Sequence, residues 1–179
     1  MNKRLCTVLV LLPLVCFPVL GQRSRRLANQ DQSDPIYKFI KRLPELDRIE
    51  ILAVGSIPSE KLDELDCKDP KNLCNPPYGP PVKILASTVL VGKAAERISA
   101  LWRQLEPGNS MGCFVPGYVM RFYSKEERLL ETEVCFHCCN ASLPNYGLAG
   151  ICGSKKAITG FEKKVMEVLP YPRVRTETK

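Results

Sequence analysis

The 179-residue chain carries 26 Lys and Arg against 19 Asp and Glu, a formal charge of +7, with nine cysteines, fifteen prolines and one histidine. Outside Arg23, Arg25 and Arg26 the basic surplus is dispersed, which argues against a nucleic-acid-binding surface. With His137 as the sole histidine, any Ser-His triad must use it, and no Gly-x-Ser-x-Gly elbow, Walker loop or dinucleotide fingerprint is present.

Residues 1–21 have the pattern of a signal peptide. Lys3 and Arg4 open it, residues 5–20 are apolar, and Val19 and Gly21 suit the −3 and −1 positions. Pro13, Pro18 and the short apolar run argue against a membrane-spanning helix, and no later run is long enough for one. Cys16 does not make a lipoprotein site, because Val15 before it is too large. Cleavage would leave about 158 residues, enough for one domain with its own core. That chain has 24 basic and 19 acidic residues, a net charge of about +5. The expected organisation is a signal peptide over 1–21, a flexible basic arm over 22–34, one domain over 35–172 and a flexible tail over 173–179.

Within the domain, residues 35–43 predict a short helix with Ile36, Phe39, Ile40 and Leu43 inward, stopped by Pro44. A strand follows over 49–54. Residues 56–81 form a long proline-rich loop with a short helix at 59–65 capped by Ser59. The alternation of Val82, Ile84, Ala86 and Leu90 predicts a strand over 82–91. Residues 93–105 predict a helix whose apolar face is Ala94, Ile98, Leu101, Trp102 and Leu105.

The clearest pattern is a hairpin. Tyr118, Met120 and Phe122 alternate with Val119, Arg121 and Tyr123, and Leu130, Thr132, Val134 and Phe136 share a face in the second run. The polar residues 124–128 lie between as the turn. One register sets Arg121 opposite Glu131 and a two-residue shift sets it opposite Glu133; both keep the apolar faces matched. Glu126, Glu127, Glu131 and Glu133 read as a solvated charged edge. Residues 143–154 read as a loop, and 161–169 as a final helix with Phe161, Val165, Val168 and Leu169 inward. The expected fold is α+β: a small, mostly antiparallel sheet of about four strands packed by two main helices, with a cysteine-rich hairpin.

Seven cysteines would survive cleavage, and export implies an oxidising compartment in which they form disulfides. Cys67 and Cys74 suit a local staple in the long loop. Cys113 would close the open end of the hairpin with Cys138 or Cys139, leaving the other of those two for Cys152. Spacing does not choose between them. The competing chemistry is metal binding: Cys113, Cys135, His137 and Cys138 (or Cys139) supply the N/S ligands of a structural zinc site. Cys135-Phe136-His137-Cys138 also has the spacing of a thiol–disulfide exchange motif. Asn140-Ala141-Ser142 matches an N-glycosylation acceptor.

The stretches TVLVGKAAERISALWR (88–103), CFVPGYVMRFY (113–123) and CFHCCN (135–140) resemble a group of exported bacterial proteins with no assigned activity. Their pattern is a Gly-x-x-Ala helix with Leu-Trp-Arg, then Cys-x-x-Pro-x-Tyr-x-x-x-Phe-Tyr, then Cys-x-x-Cys-x-Asn. The likeness covers about the middle third of the chain. Cys139 before Asn140, and the loop bearing Cys67 and Cys74, depart from it. The resemblance implies that Cys113, Cys135 and Cys138 are central and Cys139 is not. The expected function is that of a secreted or periplasmic, disulfide-stabilised, non-enzymatic domain acting by interaction, with a protein and not nucleic acid as its expected partner. It needs no cofactor on this reading. The alternative is a zinc-binding or thiol-active protein using Cys113, Cys135, His137 and Cys138.

Overall fold

The computed structural model describes residues 35–109 and 114–172. The expected signal peptide, basic arm and tail, together with Cys113, lie outside the described residues. The sheet is larger than the four strands expected. Among the described residues seven antiparallel strands curl into a half-barrel, with three helices and one 3-10 turn beside them. In chain order they are α1 (Pro35–Lys41), β1 (Arg48–Ser56), β2 (Asn72–Leu73), β3 (Val82–Val91), α2 (Lys93–Trp102), β4 (Tyr118–Ser124), β5 (Glu127–Cys135), β6 (Asn140–Leu143), β7 (Gly147–Gly150) and α3 (Lys155–Val168). The spatial order is β2-β3-β1-β4-β5-β6-β7.

The three strands absent from the sequence reading are short and poor in β-formers. β2 has two residues, β6 is Asn-Ala-Ser-Leu and β7 is Gly-Leu-Ala-Gly. β2 and β6 are created by pairing to the strong strands β3 and β5, and β7 by pairing to β6, not by their own preference. The segment predicted as a helix over 59–65 is helical only as a 3-10 turn at Ser59–Lys61.

Side-chain alternation divides the sheet between two faces. Ile49, Ile51 and Ala53 of β1, Tyr118, Met120 and Phe122 of β4, and Leu130 and Val134 of β5 belong to the main core with the helices. The opposite face carries a smaller cluster, Leu52, Val54, Val82 and Val119. Helix α2 turns Ala95, Ile98, Ser99 and Trp102 inward. Ala94, expected on the apolar face, is exposed, and Leu105 is buried beyond the helix end. Helix α3 begins six residues before the expected start, because Ser154 Oγ caps it by accepting from Ala157 N (3.3 Å). Its far end is tied down by two tyrosines: Tyr118 Oη donates to Leu169 O (3.1 Å) and Tyr171 Oη to Val54 O (2.8 Å).

The β4–β5 hairpin adopts the first of the two registers, with Tyr118 opposite Val134, Met120 opposite Thr132 and Arg121 opposite Glu131. Arg121 bonds Glu131 (3.2 Å) and Glu50 (3.1 Å), so the pair extends into a three-strand charge network. The turn is tighter than expected. Lys125 and Glu126 both have positive φ (49° and 67°), the geometry that matches strand twist in a two-residue loop. Asp47 Oδ2 accepts from Lys125 N (2.7 Å), a long-range bond that supports a turn lacking glycine or asparagine.

The far edge of the sheet is covered by the chain leaving α2. Gly108 N donates to Gly150 O (3.0 Å) and Gly153 N to Glu106 O (2.9 Å). Gly150 permits this approach, since a Cβ there would lie 2.3 Å from Gly108 O.

Candidate functional site

The cysteine-rich turn is built where β5 runs out. Phe136 anchors it, packing against Tyr118 and Phe161 with ring centroids 5.7 Å away in each case. The chain then reverses: Cys138 N donates to Cys135 Sγ (3.1 Å), Cys139 N donates to Phe136 O (3.3 Å), and Cys139 takes φ 57°. Cys135 and Cys138 are buried, whereas His137 is exposed.

Two disulfides are formed among the described residues. Cys67 bonds Cys74 within the long loop, and Cys139 bonds Cys152 across the β6–β7 meander. Cys139, which the resemblance implied to be peripheral, is therefore covalently engaged, and Cys135 is a free thiol. Burial pushes the Cys135 thiol up, and the neighbouring Cys138 thiol adds to this; amide donors from Cys138 and Val115 offset it only in part. A catalytic thiol needs the opposite shift. Among the described residues no three His, Cys, Asp or Glu side chains are grouped as a metal site. Cys113, the remaining member of the expected zinc set, lies outside them.

Glu133 is the functional-looking residue that the sequence misrepresents. Read as part of a solvated charge run, it is fully buried. Its Oε2 accepts from Tyr78 N (2.7 Å) and Gly79 N (3.0 Å), which pins the loop before β3 onto the sheet. Its Oε1 is buried without a partner among the described residues. Burial raises its pKa, the Gly79 and Tyr78 amides oppose this, and the Glu131 charge adds to the rise. A raised folded-state pKa stabilises the fold fully below the unfolded value and loses that contribution as pH climbs through the folded one. The stability of the native protein is therefore expected to decline as pH rises above the ordinary glutamate range. Glu133→Gln keeps an acceptor for both amides but cannot ionise. Urea denaturation between about pH 4 and pH 8 should show a flatter profile for this variant. An identical slope in both proteins would refute the assignment to Glu133.

A second feature was invisible in the sequence because its walls come from distant segments. An open cleft of about 580 Å³ lies beside α1, walled by Phe39, Leu43, Leu129 and Tyr146. Among the described residues Lys38 and Arg42 also line it, and no acidic side chain does. Arg42 N donates to Lys38 O (3.0 Å), so the helical turn continues and both cations share one side. Among the described residues neither cation has an ionic or hydrogen-bonding side-chain partner. The Phe39 and Tyr146 rings meet at 5.6 Å, tilted by 58°. The one sequence signal for this cleft was the helix 35–43 itself; nothing local linked it to Leu129 or Tyr146.

Comparison with known proteins yields no matching family model, no matching curated protein and no matching solved structure. No helix among the described residues is long and apolar enough to cross a membrane. Asn140 of the possible glycosylation sequence is fully buried, which closes that site on the folded chain.

Proposed function

We propose that the protein is an exported binding domain without catalytic activity, in which sulfur serves as scaffold and the exposed surface does the recognising. The observation that carries this reading is the condition of the thiol-bearing turn. Cys135 is 3% exposed, its pKa is raised, and the histidine that could activate it is turned out to solvent. The two disulfides support an oxidising location, as export would provide. The resemblance to exported bacterial proteins fits the same assignment.

The alternative is a metal or thiol centre at Cys135 and Cys138. The amide donors aimed at Cys135 Sγ favour it, since such bonds favour a thiolate. Alkylation followed by peptide mapping separates the two. In the native, unreduced protein Cys135 should resist iodoacetamide at neutral pH and react only after unfolding. Cys67, Cys74, Cys139 and Cys152 should react only after reduction. Rapid native labelling of Cys135, or turnover of a disulfide substrate, would defeat the binding-domain reading; stoichiometric zinc lost on Cys135→Ser would establish the metal alternative.

A further inference from the structure

We infer that the cleft beside α1 is a binding site for a free amphipathic anion: a compact apolar or aromatic body carrying one carboxylate, phosphate or sulfonate. This rests on the reading of the protein as a binding domain and names the ligand class.

Three features converge on that class. The volume, about 580 Å³, lies in the range that accommodates a single drug-sized molecule. The walls are apolar and aromatic, with Phe39, Leu43, Leu129 and Tyr146 offering faces to a flat or branched hydrocarbon body. Among the described residues the charged groups at the cleft are of one sign. Lys38 and Arg42 stand one helical turn apart on its lining, without acidic neighbours there and without partners among the described residues. Charge complementarity therefore selects an anion, and Arg42 can engage a carboxylate or phosphate through two parallel N–H donors.

The walls are held in place before any ligand arrives. Tyr146 sits in the tight β6–β7 connection, where Tyr146 N donates to Leu143 O (3.1 Å) and Asn145 takes φ 66°. Leu129 is carried on β5, an interior strand, at the bulge between the Leu130–Phe122 and Arg128–Tyr123 pairs. Pro35 opens α1 and Pro44 follows it, which limits the alternative paths of the helix bearing the cations. Pre-formed walls reduce the ordering cost of binding. The two cations stay exposed, so burial of the apolar body supplies most of the affinity while the charge selects and orients the ligand.

The test uses the mature chain and a matched pair of fluorescent probes, 8-anilinonaphthalene-1-sulfonate and N-phenyl-1-naphthylamine, which share a body and differ in the sulfonate. The anion is expected to bind at one site per chain, about tenfold or more tighter than the neutral probe, and to weaken as salt is added. Lys38→Glu with Arg42→Glu should weaken the anion about tenfold or more with an unchanged melting temperature, while Lys38→Arg with Arg42→Lys should retain most of the binding. Equal affinity for both probes, or indifference to the charge reversal, would overturn the proposal. So would binding that appears only after residues 22–33 are deleted, because the chain's own arm would then be the occupant. Association confined to phosphatidylglycerol vesicles, with none to the free probe, would overturn it as well. Thiol labelling is read separately: a reactive Cys135 would remove the binding-domain reading, whereas a failed probe titration removes only the ligand class.

Discussion

Trp102→Ala is expected to lower stability by about 3–5 kcal/mol, the cost of deleting a large aromatic side chain from a packed core. Trp102 is 0% exposed at the end of α2. Its ring lies 5.2 Å from Phe122 on β4 and 5.8 Å from Phe161 on α3. One side chain thus joins α2 and α3 to the sheet. Because a domain of this size is usually stable by only about 5–15 kcal/mol, the variant should sit near the edge of unfolding at ambient temperature. Trp102→Phe provides the contrast. The indole Nε1 is buried without a hydrogen-bond partner among the described residues, so replacing the ring with phenyl removes an orphan donor along with some volume. Its loss in urea denaturation should be well under half that of the alanine variant. Similar losses for both would mean that the indole N–H does have a stabilising partner.

Removing the Cys139–Cys152 disulfide, by Cys139→Ser with Cys152→Ser, is expected to cost about 3 kcal/mol through the freedom returned to the unfolded chain. The bridge spans 13 residues and clips the turn after β5 to the segment after β7, which itself pairs with the chain leaving α2 at Glu106. Ile151 N donates to Cys139 O (2.8 Å) beside it, so loss of the crosslink should also loosen β6 and β7, whose own sequences hold few β-formers. The Cys67–Cys74 bridge spans only 7 residues in an exposed loop, and its removal should cost less. Chemical denaturation of the two double-serine variants, with amide exchange on β6 and β7, checks both statements. A larger loss from the loop bridge would contradict this ranking.

Strong local patterns transferred well from sequence to structure. The strand over 82–91 appears with those limits, and the β4–β5 hairpin takes one of the two registers that its apolar alternation allowed. Each is a segment whose own residues bury an apolar face. The turn at Lys125 and Glu126 was less legible, because neither residue type signals positive φ and the support comes from Asp47 on the approach to β1. The inward face of α2 was misjudged by one residue at Ala94, since small side chains carry little weight in an apolar pattern.

The candidate site was legible in its sulfur and opaque elsewhere. Cysteine positions in the chain marked where covalent ties were available, but not that Cys139 would join Cys152. Glu133 sat in a run of charged residues, and only the loop that folds over it reveals a buried carboxylate receiving two amides. The cleft draws Phe39, Leu129 and Tyr146 from three separated segments, a meeting for which no short-range pattern exists.

What the amino-acid order determined by itself was the set of strongly patterned elements, the expectation of export, and the positions of nine cysteines and a single histidine. Hydrophobic periodicity and residue counts act locally, so they survive without knowledge of the fold. The tertiary structure alone decided that the sheet has seven strands, that Cys139 pairs with Cys152, that Glu133 is shut away from water, and that two cations stand over an aromatic cleft. Each of these depends on contacts between residues far apart in the chain. Their energies come from burial and pairing that exist only after the elements have met.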